Sequence, residues 1–248
     1  MNPTEIIDKS WIPVLSQLHQ EPLKSLYEEL LPNISYQPLK EDIFRVFEMP
    51  VNKIKVVILG QDPYPTPGDA IGLAFATRAE RKLPASLRII IQEIGESVYS
   101  FSREDFKPTY DDSDWKTLDH WRKQGVFLLN TALTVETGKA GSHIKYWEEF
   151  TKKVIQYISV QNPCLWLLWG AKAQKFIPYI KSCPFMVKGY NRTTIQDIPA
   201  NNDYNYILTA PHPAAEAYSG GKAGFYGSNH FVFVNKILNK NKLKSINW

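Results

Sequence analysis

The sequence predicts a single α/β domain with a central, mostly parallel sheet of four strands flanked by helices on both faces. Short apolar segments rich in β-branched residues alternate along the chain with amphipathic helical patterns, which is typical of a parallel sheet. The 248 residues are 44% hydrophobic, enough to bury one large core. The longest apolar segments, such as 165–169, are far shorter than the roughly 18 residues that span a membrane. We expect one globular domain over residues 1–248.

The first 50 residues predict a helical lead-in. Leucine and aromatic side chains recur at helical spacing between Trp11 and Leu30, as they do on the buried face of a helix. Pro32 and Pro38 then predict a loop, because proline interrupts a helix.

Four apolar segments predict the strands, and each leads into polar or turn-forming residues. The expected strands cover 54–59, 126–129, 164–169 and 206–208, and the expected helices cover 86–98, 115–123, 146–158, 171–180 and 229–240. The carboxyl ends of parallel strands share one edge, where such sheets bind their ligands. Asp62, Asn130, Gly170 and His212 are therefore expected to lie along one rim.

Charge and the absence of common motifs exclude several classes of function but do not identify one. The formal net charge of +4 is compatible with a nucleic-acid partner but too small to predict one. Dinucleotide-binding, Walker, zinc-protease and nucleophile-elbow motifs are absent, so redox cofactors, nucleotide hydrolysis and acyl transfer lose support. We expect no metal and no cofactor. Cys164 and Cys183 form no ligand motif and are expected to be buried thiols.

We expect no secretory signal, since residues 1–10 lack an apolar segment behind a positive start. A cytoplasmic location is the resulting expectation. The basic stretch 236–244 is interpreted as a solvated helix end rather than a DNA contact.

Each rim residue has a functional and a structural interpretation. Asp62 is a candidate base or cation stabiliser, or a turn residue before a proline. Asn130 offers a donor and an acceptor to a heterocycle, or caps a strand end. His212, between two prolines, is a candidate donor to a developing negative charge or a structural loop residue. For Phe75 the core interpretation is favoured over stacking, and Trp121, Trp147, Trp166 and Trp169 are assigned to the core.

Several short motifs then resemble those of family 1 uracil-DNA glycosylases, in matching order and spacing. The resemblance extends from about residue 11 to residue 230. The motifs are GQDPY at 60–64, GLAF at 72–75, LLNT at 128–131, LWG at 168–170, APHP at 210–213 and GFYGSNHF at 224–231.

The resemblance implies DNA repair by base excision: a flipped-out uracil is hydrolysed from its sugar without a metal or cofactor. It assigns Asp62 to the attacking water and the sugar cation, and His212 to uracil O2. It implies that Asn130 reads uracil O4 and N3–H, that Tyr64 excludes the thymine methyl and that Phe75 stacks on the base. Gln61 completes the pocket.

The resemblance also implies contacts to uracil-containing DNA, single- or double-stranded, from two loops and a strand end. These contacts are assigned to Pro84, Ser86, Gly170, Ala171, Pro213, Ala214, Glu216 and Tyr218. It further suggests a monomer and inhibitor proteins that mimic DNA as partners.

The chain departs from the family pattern at Pro65, where a histidine is usual, and at Ala171, where a serine is usual. The family leucine that enters the vacated base space aligns with Glu216, a carboxylate that would repel phosphates. Tyr218 is the alternative wedge. Residues 189–203 are interpreted as an insertion. A weakened duplex activity, an altered base preference and a DNA-binding scaffold without catalysis remain open alternatives.

Overall fold

The computed structural model describes residues 7–78, 83–103, 113–181, 183–188 and 203–248. The strands are β1 (Tyr36–Gln37), β2 (Val56–Gly60), β3 (Val126–Asn130), β4 (Val135–Glu136), β5 (Leu165–Trp169), β6 (Phe185–Lys188) and β7 (Tyr206–Ala210). The helices are α1 (Ile12–Leu15), α2 (Leu23–Ser25), α3 (Ala85–Ser97), α4 (Ser113–Thr117), α5 (Asp119–Lys123), α6 (Ile144–Gln161), α7 (Ala171–Gln174), α8 (Ala215–Ser219) and α9 (His230–Lys240). Within these ranges, no helix has the length and apolar character that crossing a membrane requires.

The central sheet confirms the predicted α/β class and corrects the strand number. In the described residues it has five parallel strands, in the order β3-β2-β5-β7-β6. Within this sheet, the strand that the prediction lacks is β6, at the edge beside β7. Its Met186 is 57% exposed, so β6 lacks the continuous buried pattern that identifies the inner strands.

Every residue of β2, β3, β5 and β7 is buried, because helices cover both faces of the sheet. The register aligns their carboxyl ends: Gly60 pairs with Asn130, and Trp169 pairs with Ala210. The loops after these four strands therefore start from the same edge, as predicted.

The lead-in differs from the expected long helical pattern. It consists of α1, α2, a π-helical turn at Leu26–Leu30 and several 3₁₀ turns, the first at Lys9–Trp11. Trp11 fixes it to the sheet: its ring stacks on Phe127 at 5.2 Å and its Nε1 donates to the Met49 carbonyl at 2.8 Å. Tertiary packing, rather than helix propensity, shapes this segment.

Two predicted helices are shorter than expected. The 115–123 pattern is divided into α4 and α5 at Leu118, whose φ is 54°. The 171–180 pattern ends as an α-helix at Gln174 and continues as a 3₁₀ turn at Ile177–Tyr179, which contains a proline.

The four tryptophans assigned to the core are at most 1% exposed, as predicted. Cys164 is also buried, whereas Cys183 is only partly buried, so the prediction of a buried thiol is wrong there. Residues 189–202 of the predicted insertion lie outside the described residues.

Candidate active site

A cavity of about 710 Å³ lies at the carboxyl edge of the sheet. Loops that follow four different strands contribute to it, as parallel-sheet topology predicts. Its lining includes the predicted residues Gln61, Asp62, Tyr64, Phe75, Ser86, Asn130, His212, Ala214 and Tyr218. Residues separated by up to 157 positions in the chain thus share one site.

Asp62 is held as an oriented carboxylate. Gln61 Nε2 donates to its Oδ1 at 2.9 Å, and the backbone N–H of Gly141 donates to its Oδ2. Burial raises the pKa of Asp62, while Gly141, Gln61 and the Lys172 ammonium all favour the charged form. The arrangement fixes the carboxylate against rotation, beside open cavity space.

His212 is a neutral donor. The backbone N–H of Ala214 donates to its Nδ1 at 3.2 Å, so the ring proton is on Nε2. Burial lowers the pKa of His212 and the nearby Lys172 charge lowers it further. At neutral pH the imidazole is therefore uncharged and able to donate one hydrogen bond.

Asn130 presents an amide with unused hydrogen-bonding capacity. It ends β3, is 7% exposed, and its side chain makes no hydrogen bond to the described residues. Gly60 allows this position, since a Cβ there would be 2.3 Å from Asn130 Oδ1. Neighbouring Thr131 is bound to Gln61, its Oγ1 donating to the Gln61 carbonyl at 2.7 Å, which fixes the two strand ends together.

Two aromatic side chains shape the cavity. Tyr64 donates from its hydroxyl to the Phe75 carbonyl at 3.0 Å, which fixes the phenol ring. Phe75 has a φ of 65°, a left-handed conformation that a bulky residue rarely adopts. Its ring contacts Trp169 at 5.6 Å and His212 at 6.1 Å between centroids. Trp169 therefore supports the site from the core.

Comparison with known proteins identifies the family. Residues 48–239 match the model of the uracil DNA glycosylase superfamily. The chain is 35% identical over 98% of its length to the uracil-DNA glycosylase of Aliivibrio salmonicida, covering 97% of that protein. It is 40% identical over 91% of its length to that of Oceanobacillus iheyensis, covering 86% of that protein.

The chain belongs to the uracil-DNA glycosylase superfamily.

Solved structures agree in fold. Mimivirus uracil-DNA glycosylase superposes with a TM-score of 0.76 at 24% identity, over 100% of this chain and 89% of that one. The enzyme from Nitratifractor salsuginis gives a TM-score of 0.62 at 20% identity, over 95% of this chain and 94% of that one.

The other residues predicted to contact DNA lie at the start of α3, at the start of α7 and in the loop after β7. Pro84 immediately precedes α3, and Ser86 lies in its first turn. Gly170 and Ala171 begin α7, and a Cβ on Gly170 would be 2.9 Å from that of His212. Pro213, which directly follows His212, is buried. Pro84, Gly170, Ala171 and Pro213 are not among the cavity-lining residues, whereas Ser86 is.

Glu216 does not occupy the exposed position that its alignment with the wedge implied. Its side chain is 3% exposed and faces a turn of its own loop. The backbone N–H groups of Ala223, Phe225 and Tyr226 donate to its carboxylate, at 2.9 Å, 2.5 Å and 3.0 Å. Burial alone would raise the pKa of Glu216, but these N–H groups lower it. The carboxylate stabilises the loop and is turned away from the solvent.

Tyr218, on the same short helix α8, is 91% exposed and also lines the cavity. The sequence did not predict two groups of the candidate site, one a side chain and the other a backbone N–H. Lys172 lines the cavity and acts on both Asp62 and His212, and Gly141 orients Asp62. Lys172 directly follows a predicted contact pair, which was the available signal; Gly141 acts through its backbone, which carries no residue-type signal.

Proposed function

We propose that this glycosylase hydrolyses the N-glycosidic bond of uracil in DNA and leaves an abasic site for base excision repair. The observation that carries the proposal is the meeting of an oriented carboxylate, a free carboxamide and a neutral imidazole in one cavity. These are the groups of Asp62, Asn130 and His212.

Base recognition follows from the free amide. Asn130 donates from Nδ2 to uracil O4 and accepts from N3–H at Oδ1, whereas cytosine mismatches both bonds in a dry pocket. The fixed ring of Tyr64 occupies the space that a thymine methyl would need. Phe75, on its constrained backbone, stacks on the flipped base.

The bond between the sugar and uracil N1 breaks with both electrons leaving on the base. His212 donates from Nε2 to uracil O2 and stabilises the uracil anion, and a neutral imidazole suffices for this. Asp62 stabilises the cation on the sugar and orients the water that adds to it. That water keeps one proton in the new sugar hydroxyl and loses the other, which neutralises the departing uracil anion.

The DNA strand is held around the cavity by Pro84, Ser86, Gly170, Ala171, Pro213 and Ala214. Contacts to phosphates make the binding weaken as salt concentration rises. Tyr218 fills the space left by the flipped base, since it is the large exposed side chain at the mouth of the cavity. Glu216 accepts hydrogen bonds from the backbone of the turn at residues 223–226 and does not contact DNA in this proposal.

Inhibitor proteins that mimic DNA would bind the same rim. Support comes from a variant of the mimivirus enzyme solved in complex with UGI, with a TM-score of 0.74 to this chain at 24% identity. Monomeric state and cytoplasmic location stay predictions.

The test measures uracil release from matched single-stranded and duplex oligonucleotides with one deoxyuridine, in the presence of EDTA. We expect release by the wild type and a loss of about 10²–10⁴-fold in Asp62→Asn, because a positioned general base contributes that much. Asp8→Asn, a carboxyl change outside the cavity lining, is the matched control and should act like the wild type.

Two outcomes would contradict the proposal. Absence of release by the wild type would favour a DNA-binding scaffold, and full activity of Asp62→Asn would remove that carboxylate from the reaction.

A further inference from the structure

A second concave surface lies at the opposite edge of the sheet from the candidate active site. It is formed where residues 53–55 lead into β2, where residues 122–125 lead into β3, and by residues near the end of the chain. Its volume is about 590 Å³, within the range of ligand sites. We call it the amino-edge cleft.

The amino-edge cleft concentrates positive charge. Its lining contains Lys53, Lys55, Arg122, Lys123 and Lys244 against the single carboxylate Glu48. The formal balance of this lining is +4, which equals the net charge of the whole chain. By contrast, the active-site cavity is lined by one carboxylate, Asp62, and one ammonium, Lys172. The charge excess therefore does not lie in the active-site lining.

Most of these cations lack a counter-ion within the described part of the chain. Arg122 is paired with Glu48 at 2.9 Å and with Asp119 at 3.0 Å. Lys53, Lys55, Lys123 and Lys244 form no ion pair there, and Lys55 Nζ donates to the backbone carbonyl of Lys244 at 3.1 Å. Burial lowers the pKa of Lys55, and the charge of Lys244 lowers it further. A bound anion would relieve this repulsion.

The walls of the cleft are preformed. The backbone N–H of Lys55 donates to the Gly125 carbonyl at 2.8 Å, and a Cβ on Gly125 would lie 2.5 Å from the Lys53 carbonyl. The side chain of Gln124 makes two hydrogen bonds to the backbone of Asn247, at 2.9 Å and 2.7 Å. The three chain segments are thus fixed to one another before any partner binds.

We propose that the amino-edge cleft binds an acidic peptide segment of a partner protein that also carries apolar side chains. The lysines of the lining match carboxylates, and the partly exposed Pro50 beside the buried Met49 provides apolar surface in the same lining. The described lining has no aromatic side chain on which nucleic-acid bases could stack, which favours a peptide over single-stranded DNA.

The location defines what such a partner does. The β-strands separate the amino-edge cleft from the uracil site, so a bound peptide leaves the DNA rim open. The partner would bring the glycosylase to its substrate rather than block it.

The test uses a fluorescent peptide of alternating aspartate and leucine, with an asparagine–leucine peptide, a uracil-free oligothymidine and inorganic phosphate for comparison. Binding is measured for the full chain, for the cleft variant Lys53→Glu/Lys244→Glu, and for Lys24→Glu/Lys181→Glu. The last pair is the matched control: it changes the net charge by the same amount, at exposed lysines outside both cavities.

We expect the acidic peptide to bind the wild type and the control, and to lose about tenfold or more in affinity for the cleft variant. Uracil release should be unchanged in the cleft variant and at saturating peptide. The proposal is overturned if the acidic peptide does not bind the wild type, binds the cleft variant equally well, or inhibits uracil release. It is also overturned if oligothymidine or phosphate, rather than the peptide, is the ligand that the cleft variant loses.

Discussion

At the scale of single residues, the candidate site depends on small neighbours that allow functional side chains to approach. Gly60 and Gly170 are the two examples, since a Cβ at either would collide with Asn130 or His212. Short motifs in the sequence therefore carry information about packing as well as chemistry. Replacing Gly60 with alanine would displace the Asn130 amide that is proposed to read the base.

Asn130→Asp tests the base-reading role directly. A carboxylate can accept a hydrogen bond from the cytosine amino group but cannot donate to uracil O4. We therefore expect this variant to release cytosine and to lose activity on uracil, by about 10²-fold, which corresponds to one unpaired buried bond. Abasic-site formation in oligonucleotides containing either base is the measurement.

The matched control for this change is Asn33→Asp, an exposed asparagine outside the cavity lining. Continued rejection of cytosine by Asn130→Asp, with normal folding, would show that another group makes the discrimination.

Tyr64→Ala removes the ring that is expected to exclude thymine. Its hydroxyl is bound to the Phe75 carbonyl, so the truncation opens space at a defined edge of the cavity. Thymine release should become measurable in this variant and stay absent in Tyr64→Phe, which keeps the ring. If neither variant acts on thymine, the exclusion must come from elsewhere in the pocket.

At the scale of elements, the inner strands and the rim were predictable because burial on both faces produces continuous apolar segments ending in turn residues. The edge strand β6 was not, since Met186 is 57% exposed and Phe185 is only partly buried, so its burial is not continuous. Among site residues, motif resemblance located Asp62 and His212, but not Gly141, whose contribution is a backbone N–H.

The loop after β7 shows a limit of alignment. Glu216 takes the sequence position of an inserted leucine, yet the structure buries it against the turn at residues 223–226. An aligned position predicts a side chain's direction only when the loop has the same length and turns. Here Glu216 and Tyr218 both lie on α8, and the exposed side chain is that of Tyr218.

Tyr218→Ala should therefore reduce uracil release from duplex DNA far more than from single strands, where less unstacking is required. The melting temperature should stay unchanged, since the side chain is 91% exposed. Tyr218→Leu, which keeps an apolar wedge, should retain duplex activity. Equal effects on both substrates would assign Tyr218 to general DNA binding.

Glu216→Ala separates loop support from DNA contact. It leaves three backbone N–H groups without their acceptor, and each unsatisfied buried donor costs about 1–3 kcal/mol. This variant should lower the melting temperature as well as the duplex activity, unlike Tyr218→Ala.

At the scale of the whole molecule, buried carboxylates connect two of the segments that are proposed to contact DNA. Glu93 of α3 accepts from the N–H groups of Gly227 and Asn229, at 2.8 Å and 3.0 Å. Together with Glu216 it holds the chain from 223 to 229, and α3 starts beside Pro84. The two predicted DNA-contacting segments therefore belong to one hydrogen-bonded unit.

Glu93 makes the stability of this unit depend on pH. It is fully buried, and burial raises its pKa from 4.5 to about 7, against the stabilising N–H groups of Gly227 and Asn229. Glu96 adds to the increase and Arg103 opposes it. A raised carboxyl pKa in the folded state means that folding favours the protonated form. The contribution of Glu93 to the stability of the fold is complete below pH 4.5 and is lost as the pH rises to about 7.

Buried His230 acts with the opposite sign, since burial lowers its pKa from 6.5 to about 3 and stability falls as the pH drops below 6.5. The two effects partly cancel in the wild type, so the test compares a variant with the wild type at each pH.

Glu93→Gln keeps the size of the side chain and removes its titration. The free energy of unfolding of this variant, minus that of the wild type, should therefore increase as the pH rises from 4.5 to 7. The span is about 3 kcal/mol. Denaturant unfolding at several pH values measures it, and a constant difference across this range would show that Glu93 titrates normally in the folded protein.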